Sequence, residues 1–185
     1  MLDFKLIDKS WTLFLDRDGV LNYEKPEDYI FNYNEFVFYE GAKEALKIFS
    51  SIFNNIILTT NQRGVGKGLM TDEDLDEIHK SMMKDIEAAG GRIDKIYSAD
   101  SIHDDDPLRK PQIGMALLAK KDFPQIDFSK SIMVGNNISD MDFGRNSGMY
   151  TVFLKTTHPE LVLPRPDIDF AYNSLIDFAK ALHNS

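Results

Sequence analysis

Asp16 and Asp18 stand two residues apart directly after the apolar run Thr12–Leu15, and Gly19 follows them. Two carboxylates this close repel one another. A divalent cation relieves the repulsion, and a glycine lets the chain turn sharply behind the pair. An isolated D-x-D-G is equally a polar loop with incidental aspartates. Three other polar groups sit just beyond apolar runs or at the start of a helical stretch. Thr60, Asn61 and Gln62 offer uncharged hydrogen-bonding groups suited to phosphate oxygens, or make an ordinary loop. Arg109 and Lys110, before Pro111, offer two adjacent cations for a phosphate, or form a solvated surface pair. Asn136, Asn137, Ser139 and Asp140, after Gly135, bring oxygen side chains that suit a hard cation, or the start of a capped helix.

These groups need elements to position them. Thr12–Asp16, Asn55–Thr60, Asp94–Ala99, Ser131–Gly135 and Tyr150–Leu154 read as short buried strands. Ala42, Ala45, Leu46, Phe49, Ile52 and Phe53 share one helical face; Leu75, Ile78, Met82 and Ile86 form another. Thr71 and Asp74 resemble a capping pair and Gly90-Gly91 a stop. A third helix is expected from about Gln112 to Lys121 and a short fourth after Ser139, ending near Gly148. Asn173 or Ser174 is expected to cap a last helix through Leu182. Strand–helix alternation of this kind predicts an α/β fold: a three-layer, doubly wound parallel sheet of Rossmann type, in one domain spanning residues 1–185. In such folds the loops at the carboxyl ends of the strands build the site.

Composition narrows the function. The net charge of −9 repels nucleic acid and anionic lipid, so an anionic substrate needs a local island of Lys and Arg. The absence of cysteine excludes disulfides, thiolate catalysis and Cys-based zinc sites. Asp3, Lys5, Asp8 and Lys9 interrupt the apolar residues of the N-terminal segment, so it is not expected to serve as an export signal. No apolar run approaches the roughly 20 residues of a membrane span. A cytoplasmic protein is expected, with no membrane or nucleic-acid partner. A monomer is expected too, because no heptad or other assembly pattern is present.

Taken together, the four polar groups follow successive strands in an order that resembles the haloacid dehalogenase (HAD) superfamily of phosphohydrolases. The segments FLDRDGVLN (Phe14–Asn22), TNQ (Thr60–Gln62) with the following RGVGKG, RKPQIGM (Arg109–Met115) and MVGNNISDM (Met133–Met141) are similar to the histidinol-phosphate and D,D-heptose 1,7-bisphosphate phosphatase branch. The resemblance runs from about residue 11 to residue 155, and this branch lacks a large cap domain. It implies a magnesium-dependent phosphomonoesterase that uses an aspartyl-phosphate intermediate. Asp16 would be the nucleophile and Asp18 the general acid and base. Thr60 and Lys110 would bind phosphoryl oxygens, and Asn61, Arg63 and Arg109 would orient the remaining substrate. The metal would be held by Asp16, the Asp18 main chain, Asn136 and Asp140. The implied substrate is a small phosphorylated metabolite, with heptose 1,7-bisphosphate ahead of histidinol phosphate.

Two departures from that branch stand out. Its motif after the fourth strand normally opens with an aspartate, and here the position is Asn136. Unit charges about 4 Å apart at an effective dielectric near 20 interact by roughly 4 kcal/mol, so weaker magnesium binding is expected unless Asp140 compensates. Many relatives also carry a Cys/His zinc loop before the Arg-Lys-Pro motif. The segment Tyr97–Pro111 has only His103 as a soft ligand, so no structural zinc is expected; Asp104–Asp106 reads as a solvated acidic turn.

Other features receive ordinary roles. Gly64–Gly68 lacks the spacing of a nucleotide phosphate loop and reads as a flexible loop, with Lys67 adding positive potential. His79, His158 and His183 read as structural or exposed. The aromatics Tyr29, Phe31, Tyr33, Phe36, Phe38 and Tyr39 alternate with polar residues and suggest a hairpin or flap after Asp18 that covers the site. The competing functions are a phospho-ligand-binding homologue without turnover, a signalling receiver domain, and a nucleic-acid 3′-phosphatase.

Overall fold

A computed structural model of the chain describes residues 2–25 and 28–185; residues 1, 26 and 27 lie outside the described residues. Six strands, β1 (Thr12–Leu15), β2 (Asn55–Asn61), β3 (Lys95–Ala99), β4 (Ser131–Gly135), β5 (Tyr150–Leu154) and β6 (Phe170–Tyr172), form one sheet in the order β3-β2-β1-β4-β5-β6. Every pairing is parallel, with Thr12 opposite both Asn55 and Ser131. The chain works outward from β1 to β3, then returns to β4 on the other side of β1. That reversal opens a crevice at the carboxyl ends of β1 and β4.

The apolar strands alternate between two cores, as a pleated strand must. Leu13, Leu15, Ile56, Leu58, Ile132 and Val134 face α1 (Ala42–Ile52), α3 (Asp72–Ala88) and α6 (Leu175–His183). Phe14, Ile57 and Met133 face α4 (Gly114–Asp122) and α5 (Ile138–Ser147). Burial on both faces explains why the strands read as continuous apolar runs rather than half-polar ones. The expected helical stripes are the buried faces: Ala42, Ala45, Leu46 and Phe49 on α1, and Leu75, Ile78, Met82 and Ile86 on α3. Thr71 and Asp74 form a reciprocal capping box at the start of α3, and Gly90 follows its end at φ +83°. Ser174, not Asn173, caps α6, accepting from the Asp177 N–H.

Several expectations need correction. Helix α4 begins at Gly114 rather than Gln112, because the Gln112 N–H closes a turn onto the Arg109 carbonyl at 2.8 Å. Helix α5 begins one residue before Ser139, capped by Asn137 with Asp140 as its third residue. β6 was not expected: it is three residues long and only half-buried, so it carries no apolar run to see. Gly64–Gly68 is not an open loop. Residues Arg63–Gly66 make one helical turn, α2, and a Cβ on Gly66 would stand 2.1 Å from the Asp100 carbonyl oxygen. The expected hairpin of alternating aromatics is a single antiparallel bridge rather than a two-stranded ladder: Asn22 pairs with Phe38, the Tyr23 N–H donates to the Val37 carbonyl and the Tyr39 N–H to the Leu21 carbonyl, each at 2.9 Å. That stretch makes one 3-10 turn at Tyr33–Glu35 and packs onto the core: Ile30 and Phe36 are buried, and the Tyr33 hydroxyl donates to Asp85 of α3 at 2.7 Å. Among the described residues no helix is long and apolar enough to cross a membrane.

Candidate active site

Asp16 is the first residue beyond β1, and its N–H still bonds the Val134 carbonyl of β4 at 3.0 Å, which fixes it at the crevice. Lys110 enters from the segment after β3. Its ammonium is buried and contacts three oxygens: Asp16 Oδ1 at 2.9 Å, Asp140 Oδ1 at 2.6 Å and the Thr59 carbonyl at 2.8 Å. Burial alone would depress the Lys110 pKa, but the Asp140 and Asp16 carboxylates outweigh it and hold the ammonium above its ordinary value. Asp16 shares that cation with Asp140, so burial dominates and pushes its carboxyl up to about 7. The buried centre thus holds two carboxylates against one lysine and favours further positive charge.

Asn61 clamps the same lysine. Its Oδ1 accepts the Lys110 N–H at 3.0 Å and its Nδ2 donates to the Lys110 carbonyl at 3.2 Å, so it pairs with main chain while lining the pocket. Asp140 also does more than was expected of it. Its Oδ2 accepts the N–H groups of Asn136 and Asn137 at 3.1 and 3.0 Å, and its other oxygen holds Lys110. Gly135 makes room for that arrangement, since a Cβ there would stand 2.2 Å from the Asp140 Cβ.

Asp18 has a different environment. Arg17, wholly buried, reaches its two oxygens at 2.9 to 3.2 Å; Asn22 Nδ2 donates at 2.9 Å and Gln62 Nε2 at 2.8 Å. Burial works to raise its pKa, but Arg17 and then these hydrogen bonds prevail and hold the carboxyl below its ordinary value. Gln62 Nε2 also donates to the Thr60 hydroxyl oxygen at 2.8 Å, tying β2 to Asp18. Arg17 and Asn22 were assigned no site role from sequence, and Gln62 was offered as a partner for phosphate oxygens rather than for Asp18. Arg17 sat visibly between the two aspartates, but a surface arginine and a buried one look alike in a sequence.

Asp16, Asp18, Thr60, Asn61, Arg109, Lys110 and Asp140 line one cavity of about 300 Å³, with Glu24, Asn137 and Ser139. A smaller lobe of about 130 Å³ shares Asp18, Glu24 and Asn61 and adds Lys25, Tyr29 and Gln62. Arg63, expected to meet the substrate, lines neither lobe; it and Arg109 share the exposed carboxylate of Asp104. The buried Arg63 Nε and one buried terminal nitrogen of Arg109 find no acceptor among the described residues. Of the acidic run, Asp106 is also committed, its carboxylate accepting the Leu108 N–H at 2.8 Å.

Asn136 is fully buried; its Nδ2 donates to Thr157 at 2.7 Å, while its Oδ1 has no donor among the described residues. It packs so closely on Gly19, which has φ +81°, that a Cβ at Gly19 would stand 2.0 Å from the amide nitrogen. An orphaned oxygen beside the Asp16–Asp18 turn, in a centre short of positive charge, is a donor set that fits a hard cation. No cluster of three His, Cys, Asp or Glu side chains able to hold a metal exists among the described residues. Any such site therefore relies on amide or main-chain oxygen as well.

Comparison with known proteins agrees with this geometry. The model of the polynucleotide kinase 3 phosphatase family matches residues 6–181. The D-glycero-alpha-D-manno-heptose-1,7-bisphosphate 7-phosphatase of Campylobacter jejuni is 35% identical over 146 residues, covering 79% of this chain and 83% of the relative. The D-glycero-beta-D-manno-heptose-1,7-bisphosphate 7-phosphatase of Yersinia pestis is 30% identical over 179 residues, covering 92% and 94%. The crystal structure of D,D-heptose 1,7-bisphosphate phosphatase from B. bronchiseptica, complexed with magnesium and phosphate, superposes with a TM-score of 0.84 at 24% identity, covering 94% of this chain and 98% of that one. The chain belongs to the polynucleotide kinase 3 phosphatase family, and within it is a HAD-like phosphatase, a hydrolase of phosphate monoesters, of the D,D-heptose 1,7-bisphosphate phosphatase branch.

Proposed function

We propose that this phosphatase removes one phosphate from a small sugar bisphosphate, a D-glycero-D-manno-heptose 1,7-bisphosphate, with magnesium as its cofactor. The observation that carries the reading is the buried Lys110 ammonium held between Asp16 and Asp140 in the crevice. An oxygen of Asp16 forms a bond to phosphorus as the ester P–O bond breaks, and Asp18 gives its proton to the departing sugar oxygen. Asp18, then ionised, takes a proton from water as the water oxygen attacks the phosphorus, which frees inorganic phosphate and restores Asp16. The low pKa of Asp18 suits the second step. The arriving phosphate dianion opposes it and favours the proton needed for the first. Thr60 and Lys110 bind the phosphoryl oxygens, with Asn61 fixing the Lys110 main chain.

The Asp16 carboxylate, the Asp18 main-chain carbonyl and Asn136 Oδ1 would hold the magnesium. Asp140, already engaged by Lys110 and two N–H groups, would contribute charge rather than a direct bond. When bound, the ion screens the nucleophile from the phosphate. Asn136→Asp is expected to tighten magnesium binding by about tenfold, since it adds a full charge beside the ion. Titrating magnesium against phosphate release in both proteins measures it, and equal or weaker affinity in the variant would reject it.

Arg63 and Arg109, joined through Asp104, orient the remainder of the substrate by setting positive charge beside its second anionic group. The chain acts as a cytoplasmic monomer of one domain, apart from membranes and nucleic acid. The decisive experiment is phosphate release from the α and β heptose 1,7-bisphosphates, histidinol phosphate, a nucleoside monophosphate and a 3′-phosphorylated oligonucleotide, with magnesium and with EDTA. A heptose bisphosphate is expected to have the highest kcat/KM, and EDTA to stop the reaction. Histidinol phosphate in first place would replace the substrate, and the oligonucleotide in first place would overturn the exclusion of nucleic acid. No release from any ester would leave a phospho-ligand-binding protein.

A further inference from the structure

His79 lies on the buried face of α3, 62 residues from Arg17 in sequence, with its Nε2 3.1 Å from a terminal nitrogen of the Arg17 guanidinium. An arginine only donates, so Nε2 must accept, and His79 is the neutral tautomer with its proton on Nδ1. Burial, and then the charge of Arg17, pull the imidazole pKa down to about 3, so the acceptor persists across the working range of the enzyme. The other terminal nitrogen of Arg17 spans both Asp18 oxygens and Gln62 Oε1, and its Nε reaches Asp18 Oδ1 at 3.2 Å. Every N–H-bearing nitrogen of this guanidinium is therefore engaged. The group has one orientation, which also sets the plane of the Asp18 carboxylate.

We propose that His79, acting through Arg17, is a positioning residue for Asp18: it turns the guanidinium so that Asp18 presents its carboxyl to the leaving oxygen of the substrate. Losing the acceptor strands a buried donor, which must then turn toward Asp18 or Gln62 and drag the carboxylate from its place. Helix α3 holds the histidine rigidly, since Ile78 and Met82 on either side of it are buried in the core. No contact between His79 and the cavity is needed for this action; only Arg17 lies between.

The inference rests on the reading of Asp18 as the acid, so the test separates the two. Protonation of the leaving group matters for an aliphatic alkoxide and little for p-nitrophenolate, a good leaving group. Because kcat/KM reports steps up to release of the first product, the ratio of kcat/KM for an aliphatic ester to that for p-nitrophenyl phosphate reports the acid. The aliphatic ester is whichever sugar or amino-alcohol phosphate the parent hydrolyses fastest. In His79→Leu, and in His79→Met should the leucine variant fold poorly, the ratio is expected to fall by about tenfold or more, within the 10²- to 10⁴-fold reach of a general acid. His79→Gln, whose amide oxygen can accept from Arg17, is expected to keep the ratio within about threefold of the parent. A parallel loss on both esters, or failure of the glutamine to restore the ratio, would overturn the inference. Asp18→Asn is measured alongside: if it leaves the ratio unchanged, the reading of Asp18 fails. If it lowers the ratio while the leucine and methionine variants do not, only the role of His79 fails.

Discussion

Asp16→Asn should reduce phosphate release by about 10⁴-fold or more, because an amide cannot form the bond to phosphorus on which both steps depend. The fold should survive. The side chain keeps its shape, and Lys110 retains Asp140 and the Thr59 carbonyl as partners. Stability offers a second readout with a definite sign. Burial raises the Asp16 carboxyl from 3.8 to about 7, so between those values the folded chain holds a proton that the unfolded chain has released. This group's contribution is fully present below 3.8 and is lost as pH rises through about 7. Asparagine has no such proton. In EDTA, the stability of Asp16→Asn minus that of the parent should therefore grow as pH rises across this window, which urea unfolding measures. A flat difference would mean that Asp16 is not strained by its burial.

Lys110→Met should damage both stability and chemistry. It leaves Asp16 and Asp140 facing the same buried space without a cation and strips the Thr59 carbonyl of its donor. Removing one member of a buried ionic cluster typically costs about 3–5 kcal/mol. Loss of a phosphate-binding cation should also lower kcat by about 10²-fold or more. The pH dependence again has a sign. In the parent, the two carboxylates hold the Lys110 ammonium above its ordinary 10.5, so its contribution is present below that value and lost only as pH rises beyond it into alkaline solution. In the variant, acidification lets one carboxyl take up a proton, and the deficit should narrow from pH 7 toward pH 5. Urea unfolding at both values tests this; a deficit below about 1 kcal/mol at pH 7 would mean that the lysine is dispensable to the folded state.

The two variants probe opposite sides of one balance. A carboxylate in a dry crevice is costly, and one ammonium divided between two carboxylates does not remove the cost. The residual imbalance is what makes the pocket receptive to a further cation, and it places the Asp16 proton near neutral pH. Asp18, two residues away, has an arginine of its own and shifts the other way. Two aspartates in one turn thus acquire different proton affinities from their surroundings, and before substrate or a cation binds the higher affinity is on Asp16, the reverse of the order that a protonated acid and an ionised nucleophile need.

Strand and helix positions were legible because burial imposes a period. Leu13 and Leu15 alternate with Phe14 between two cores, and Leu75, Ile78, Met82 and Ile86 recur on one face of α3, whatever the rest of the chain does. Asp16, Asp18, Thr60 and Lys110 were expected together because each lies near or beyond the end of a strand, and the parallel sheet does bring all four to one cavity. Local chemistry needs no more than that. What a buried polar group pairs with is set by residues far away in sequence, and neither period nor spacing encodes it. Arg17 could have been a surface arginine until His79, 62 residues on, met it beneath the site. Asn61 became a clamp because it lies opposite the Lys110 main chain, and Asp140 became the lysine's second partner while its other oxygen accepts two N–H groups ahead of α5. The sequence by itself determined five of the six strands, the order of their polar ends and the family of chemistry. The tertiary structure alone decided the charge pairing, because desolvation makes each buried donor and acceptor choose a partner and only the folded chain says which ones are within reach.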